Sequence, residues 1–256
     1  MLVSLIDFRS YFTVTHTITT CTISLELARL LSLSSEQTKK IYYGAMMHDL
    51  GKIGIPIEIL EYPGQLTQEQ MIIMRSHVLK TRELLEEKID QEILEIACRH
   101  HEKLNGSGYP HSLWENQLTQ EQRIVAISDI VSALCGKRSY KTSFSKEKTC
   151  EILNQMAQAG EIDSMIVAQV IDNYDLIEGK IWKEAAAVLE KYNTIIVTYS
   201  DLLNRKQELI EAKWLYLVFR YSKTGIVNLK IDRFPHNNKS PFSFKKCNIL
   251  YSWETK

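Results

Sequence analysis

The chain contains seven histidines, at positions 16, 48, 77, 100, 101, 111 and 236. Two groups of them stand beside acids, His48-Asp49 and His100-His101-Glu102, and Asp129 follows downstream. Neutral imidazoles mixed with carboxylates suit borderline-to-hard divalent ions such as iron, manganese or zinc. The lack of cysteine pairs argues against a structural zinc site. Adjacent residues on a helix point about 100° apart. A His-Asp pair at a helix end can therefore send both groups into one cleft, the imidazole as a terminal ligand and the carboxylate as a bridge. Lys52 follows Asp49 by three residues and can lie on the same side. Together His16, His48, Asp49, His77, His100, His101 and Asp129 are enough for two metals. Two such ions about 3.5–4 Å apart can hold a hydroxide and clamp a phosphate for in-line attack. Taken singly, any of these histidines reads more often as a satisfied or solvated side chain, and either aspartate as a cap or ion-pair partner. The set carries the argument. His111 and His236 have no ligand company and are assigned structural roles.

Helices must position this set. Ile18, Cys21, Leu25, Ala28 and Leu31 recur at spacings of three and four, which predicts an amphipathic helix over 17–31, with His16 just ahead of it. A second helix is expected from a Ser34 or Ser35 cap, stopping at Gly51. The segment 63–87 opens on Pro-Gly, and Thr67 to Gln70 form a capping box for a third. Residues 90–101 predict a short helix broken by the Asn-Gly-Ser-Gly turn. Capped helices follow at 119–135 and 145–160, with helical segments near 161–172 and 181–211. Up to about residue 210 no strand alternation is found, so an all-α bundle is expected. The end differs: 214–234 holds two β-rich runs around Lys-Thr-Gly, which predicts a hairpin that must pack on something else to be stable.

Bulk properties narrow the setting. The chain has 256 residues, with 31 basic and 31 acidic side chains. That balance conceals a gradient, because residues 202–256 hold 11 Lys/Arg and 4 Asp/Glu, a net of +7. Without a dense basic cluster the tail reads as a solvated surface, and no DNA partner is expected. Cys21, Cys98, Cys135, Cys150 and Cys247 are scattered, without a CxxC, as buried thiols in a reducing cytoplasm would be. No apolar run approaches the roughly 20 residues that cross a bilayer, and nothing near Met1 reads as a signal peptide. The expectation is a cytoplasmic protein.

The segments "HDLGK" (48–52), His77, "HHEKLNGSGYP" (100–110) and "RIVAISDIVSAL" (123–134) resemble the HD-GYP family of cyclic-dinucleotide phosphodiesterases, a branch of the HD metallohydrolases. "IPIEILEYPGQLTQEQ" (55–70) and "KRSYK" (137–141) are similar to its linking segments, so the likeness covers residues 11 to about 175. It implies an all-α helical HD-type domain over 1–180 and a C-terminal extension over 181–256, where the hairpin is expected. It further implies metal ligation by His16, His48, Asp49, His77, His100, His101 and Asp129, with Asp49 bridging two divalent transition-metal ions, iron or manganese. Catalytic roles fall to Asp49 and Lys52, and substrate contacts to Gly108, Tyr109, Arg138 and Lys141. The implied reaction is hydrolysis of cyclic di-GMP to pGpG and/or GMP. The alternatives are 3′,3′-cyclic GMP-AMP as substrate, or a degenerate module that binds a cyclic dinucleotide or a partner protein through Gly-Tyr-Pro without turnover. For the extension, regulation, homodimerisation and neither all stay open. Three positions depart from the family pattern. Phe12 stands where three-metal members carry glutamate, implying two metals here. Asn105 replaces the commoner aspartate of the turn. Ser132 replaces a second aspartate, removing a carboxylate near the site.

Overall fold

The computed structural model describes residues 11–135 and 144–186, with 11–14 as backbone alone, together with 190, 194, 197, 198, 201, 202 and 204–206. The chain divides into two compact units, Met1–Ser200 and Asp201–Lys256, and the elements below belong to the first. They are α1 (Tyr11–Leu30), α2 (Ser35–Met47), a 3-10 turn (Leu50–Gly54), α3 (Ile57–Leu60), α4 (Gln68–Arg75), α5 (His77–Leu85), α6 (Gln91–Cys98), a second 3-10 turn (Glu115–Gln117), α7 (Gln120–Cys135), α8 (Lys146–Gln158) and α9 (Ser164–Asp172). Helical residues resume over 174–186. Among the described residues no strand forms; an isolated bridge between Asn105 and Trp114 is the β-type pairing found. The expected hairpin at 214–234 lies outside the described residues. No described helix is long and apolar enough to cross a membrane.

Two elements differ from expectation. Helix α1 is already helical at Tyr11, six residues before the expected start, so His16 sits within the helix rather than ahead of it. Threonine and valine lower helix propensity by fractions of a kcal/mol, which packing of α1 against α2 and α7 overrides. The expected single helix over 63–87 instead breaks at Ser76, where α4 ends and α5 begins. The Ser76 hydroxyl donates to the Ile73 carbonyl at 2.6 Å, the local competition with helix bonding that serine brings. The Thr67/Gln70 capping box forms as its sequence predicts, and of the two expected caps of α2 it is Ser34 that serves, in a capping box with Gln37.

The main core gathers Ile23 and Leu27 of α1, Ile41 of α2, Ile124 and Ile127 of α7, Leu153 of α8 and Ile166 of α9, each almost wholly buried. Burying such a side chain contributes about 1.5–3 kcal/mol. A smaller cluster of Val78, Leu85, Leu94 and Cys98 sits beneath Met47, Leu50 and Tyr109. It joins α5 and α6 to the turn that carries Asp49. Thr20 and Ser24 on α1 point into the interior, and their hydroxyls find no partner among the described residues. Of the described cysteines, Cys21, Cys98 and Cys135 are buried and Cys150 is half-buried.

Candidate metal centre

Five elements each deliver ligand-type side chains to one place. His16 comes from α1, and His48 and Asp49 from the junction of α2 with the first 3-10 turn. His77 opens α5, His100 and His101 lie in the turn just after α6, and Asp129 lies on α7. All are buried except His101, which is half-buried. Close backbone approach sets the spacing: a Cβ on Gly51 would stand 1.9 Å from the His77 carbonyl oxygen and 2.6 Å from the Thr81 amide nitrogen. The Gly51 amide donates to Thr81 Oγ1 at 2.8 Å, and that hydroxyl donates to the His48 carbonyl at 3.2 Å. The His48–Lys52 turn is thereby pinned to α5.

Three of the histidines share one device. Nδ1 of His48, His77 and His100 lies 2.7 Å from the carbonyl three residues earlier, that of Ala45, Met74 and Ala97. A carbonyl only accepts, so each Nδ1 carries the hydrogen and each Nε2 is directed at the centre, with a bare lone pair on the neutral His77 and His100. His77 Nε2 and His100 Nε2 then face each other at 3.3 Å. Two lone pairs at that distance repel unless a positive charge lies between them. His48 Nε2 and Asp49 Oδ1, both buried, have no hydrogen-bond partner among the described residues.

Asp49 stands between two groups. Its Oδ2 is 3.2 Å from His48 Nε2 and 3.6 Å from His16 Nε2, while Oδ1 is 3.4 Å from His77 Nε2 and 3.9 Å from His100 Nε2. Asp129 Oδ1 approaches His16 Nε2 at 2.8 Å and His48 Nε2 at 3.6 Å, and its Oδ2 lies 3.8 Å from His101 Nδ1. Two sets of donor atoms lie close enough together to hold an ion each: His16, His48 and Asp49, and His77, His100 and His101. The donors are all nitrogen and oxygen, and the orphaned atoms point inward. The residues fit a pair of divalent cations.

The electrostatics agree with that fit. Burial pushes His16 down, His77 to about 4, His101 to about 3 and His100 well below its usual range, so all four are neutral imidazoles ready to ligate. Burial would also lower His48, but Asp49 and Asp129 outweigh it and raise it to about 10. In the metal-free chain, a proton on His48 supplies part of the charge that a cation would bring. Burial alone would raise the two carboxyls, yet His48 and Lys52 hold Asp49, and His16 and His48 hold Asp129, well below the carboxylate range.

Lys52 reaches Asp49 Oδ2 at 2.5 Å, on the side that the three-residue spacing predicts. Tyr109 stacks on the His101 ring at 4.7 Å with an interplanar angle of 27°, and the Arg75 guanidinium lies 4.9 Å over its face. Gly108 leaves no room for a side chain, since a Cβ there would stand 2.4 Å from the Lys103 amide nitrogen and 2.5 Å from Glu102 Cα. Its position follows from packing of the turn. Arg138 and Lys141 lie outside the described residues.

Glu102, though next to two histidines in sequence, bonds to no ligand-type side chain among the described residues. Its buried carboxylate accepts from the His111 amide at 2.7 Å and the Leu113 amide at 2.9 Å, tying down the loop after Tyr109. Sequence reasoning also passed over Thr81 and Arg75. Thr81 lies four residues, one helical turn, beyond His77, and that spacing was the available signal. Nothing local distinguishes Arg75 from other surface arginines.

Residues 1–166 match the model of the HD domain family. The chain is 32% identical over 174 residues to 3′3′-cGAMP-specific phosphodiesterase 1 of Vibrio cholerae, covering 68% of this chain and 40% of that protein. It is 38% identical over 139 residues to a cyclic di-GMP phosphodiesterase response regulator of Xanthomonas campestris, covering 53% of this chain and 36% of that protein. The chain thus spans well under half the length of either relative. Among solved structures it is similar in fold to Bd1817, an HDG"Y"P protein from Bdellovibrio bacteriovorus, with a TM-score of 0.53 and 20% identity over 65% of this chain and 53% of that one. With the His-Asp pair, the paired histidines and the Gly-Tyr-Pro turn converging on one centre, the chain belongs to the HD domain family, on its HD-GYP branch.

Proposed function

We propose that this chain is a phosphodiesterase that uses two divalent cations, iron or manganese, to hydrolyse a cyclic dinucleotide. Cyclic di-GMP is taken first as substrate, with pGpG and/or GMP as products. The observation that carries this reading is Asp49, whose two oxygens face different histidine groups while His77 and His100 aim bare lone pairs at each other. His16, His48, Asp49 and Asp129 would hold one cation, and His77, His100, His101 and Asp49 the other. When bound, such a pair supplies a nucleophilic oxygen at neutral pH and neutralises charge on the phosphoryl group.

The chain's own groups do the rest. The Nδ1–H bonds to Ala45, Met74 and Ala97 hold three imidazoles with Nε2 toward the centre, so loading requires only that His48 give up its Nε2 proton. Lys52, at the edge of the centre, is placed to neutralise a phosphate oxygen and to give a proton to the 3′-oxygen as its bond to phosphorus breaks. Tyr109 is held between the His101 ring and the Arg75 guanidinium, so its edge faces an incoming nucleotide and Arg75 brings a guanidinium for phosphate. By the family resemblance alone, Arg138 and Lys141 are assigned to the dinucleotide's phosphates or base edges.

A second reading, 3′,3′-cyclic GMP-AMP as substrate, is favoured by the Vibrio cholerae relative named for that specificity. Parallel hydrolysis assays with cyclic di-GMP, 3′,3′-cyclic GMP-AMP and cyclic di-AMP, each with Fe(II) and Mn(II), separate the readings. Asp49→Ala is expected to lower turnover at least about a thousandfold, since several kcal/mol of charge stabilisation go with the metals at 1.36 kcal/mol per tenfold. Full metal-dependent turnover by that variant, or a wild-type chain that holds no metal after anaerobic purification, sinks the enzyme and leaves a binding module.

A further inference from the structure

One hydroxyl serves both ends of the turn that carries Asp49. Thr81 Oγ1, wholly buried on α5, accepts from the Gly51 amide at 2.8 Å and donates to the His48 carbonyl at 3.2 Å. In an ordinary four-residue turn the first carbonyl and the fourth amide bond to each other. His48 and Gly51 hold those two places, and the hydroxyl bridges them. A threonine within a helix has another acceptor to hand, the carbonyl four residues back on its own helix. Thr22 and Thr38 take it, donating to Ile18 and Ser34 at 2.8 Å. Thr81 gives its hydrogen to the turn instead.

What lies on either side gives this bridge its meaning. His77 opens α5 and Thr81 follows one helical turn later, so ligand and hydroxyl ride on one rigid element. Asp49 rides on the turn. Its Oδ1 reaches His77 at 3.4 Å and His100 at 3.9 Å across the gap between the two. The missing side chain of Gly51 permits the close approach, but absence of a group has no direction; the two hydrogen bonds of Thr81 supply it. Valine has the shape of threonine and neither bond. In Thr81→Val the Gly51 amide and the His48 carbonyl, a donor and an acceptor, can close the turn on themselves. Both buried groups then stay satisfied, as buried backbone must be, and the peptides between them shift with Asp49 attached.

We infer that Thr81 is a positioning residue for Asp49: by bridging the ends of the 48–51 turn it keeps the carboxylate spanning both histidine groups, and so governs uptake of a second cation more than of a first. The inference rests on the reading of the centre as a two-cation site. His48 is held by its own Nδ1 bond to Ala45 and adjoins Asp49 in the chain, so the group with His16 keeps its acid when the turn closes. The group of His77, His100 and His101 reaches Asp49 only across the gap that Thr81 spans.

The test titrates the full chain with Mn(II) by calorimetry and records electron paramagnetic resonance at two equivalents. The wild type is expected to take up two ions and to give the spectrum of a spin-coupled, carboxylate-bridged pair. Thr81→Val is expected to hold the first ion within about threefold of wild type and the second about 10–100-fold more weakly, the usual effect of losing a ligand's outer partner. Its spectrum should be that of isolated Mn(II). Thr81→Ser returns the hydroxyl and is expected to restore the second ion to within about threefold and the coupled spectrum with it. Circular dichroism reports the fold; should Thr81→Val not fold, Thr81→Ala adds no bulk and carries the same expectation. A folded variant without the hydroxyl that keeps the second ion within about twofold overturns the inference. So does one weakened equally at both ions, or a Thr81→Ser no better than Thr81→Val. Neither readout involves turnover. A coupled pair that Thr81→Val dissolves, in a chain that hydrolyses no cyclic dinucleotide, refutes the proposed function alone. Hydrolysis by a chain whose Thr81→Val keeps the pair refutes the role of Thr81 alone, and a wild type that binds no Mn(II) overturns both.

Discussion

Replacing Glu102 with glutamine tests what the acid of "HHE" does. The change keeps the shape but swaps one carboxylate oxygen for an NH2 group. In the wild type both oxygens are engaged, one by the His111 amide at 2.7 Å and one by the Leu113 amide at 2.9 Å. Glutamine can accept from one of these; its NH2 then faces the other backbone N–H, donor against donor. One charge-assisted bond is worth about 1.5–3 kcal/mol, and a buried donor left without a partner costs about 1–3 kcal/mol. The expected loss is about 3 kcal/mol, a fall in melting temperature of roughly 6–12 °C for a fold of this size. Urea unfolding of the metal-free chain measures it. Mn(II) affinity should change less than about threefold, because no metal-directed side chain bonds to Glu102 among the described residues. KM for the dinucleotide should rise, since Tyr109 sits on the loop being loosened. Stability within about 1 kcal/mol of wild type, with metal affinity down tenfold or more, would refute this and return Glu102 to the support of His100 or His101.

Gly51→Ala should separate Asp49 from His77, because its Cβ would stand 1.9 Å from a backbone oxygen that cannot swing aside; a loss of about 1–3 kcal/mol in urea unfolding and at least about tenfold in Mn(II) affinity is expected. Thr20→Val replaces a buried, unpartnered hydroxyl with a methyl of the same shape and should raise stability by about 1 kcal/mol in the same assay; a destabilised variant would show that the hydroxyl has a partner after all. Acid should weaken the metal-free chain before the carboxylates titrate. His77 and His101, held by burial at about 4 and about 3, stay neutral in the fold, while the unfolded chain takes up protons near 6.5. More protons are then bound unfolded, so stability falls as pH drops from 6.5 toward 4, by about 1.4 kcal/mol per unit for each histidine. His48, raised to about 10, gives its full contribution throughout that window and does not mask the slope. Urea midpoints at pH 6.5, 5.5 and 4.5 decide it, and a flat profile would count against neutral histidines in the fold.

The amino-acid sequence by itself determined the chemistry on offer. His48-Asp49, His100-His101 and Asp129 announce a nitrogen-and-oxygen metal site because ligand type belongs to the side chain, and because neighbours at a helix end reach one cleft whatever the rest of the chain does. Lys52 beside Asp49, and the Thr67/Gln70 capping box, were legible for the same reason: three-residue spacing on a helical turn is local geometry. The helix at Tyr11 and the break at Ser76 escaped it, since packing of α1 on α2 and α7, and one serine hydroxyl, outweigh propensities of a fraction of a kcal/mol. Only the tertiary structure divided the two oxygens of Asp49 between histidine groups drawn from different helices. Only it took Glu102 away from the ligands and gave it to the backbone at His111 and Leu113. Ser132 Oγ meets His16 Nδ1 at 2.9 Å across 116 positions, and no spacing rule spans that distance. A side chain's donor chemistry is written in its residue type, but which atom it serves depends on what the fold brings within about 3 Å of it.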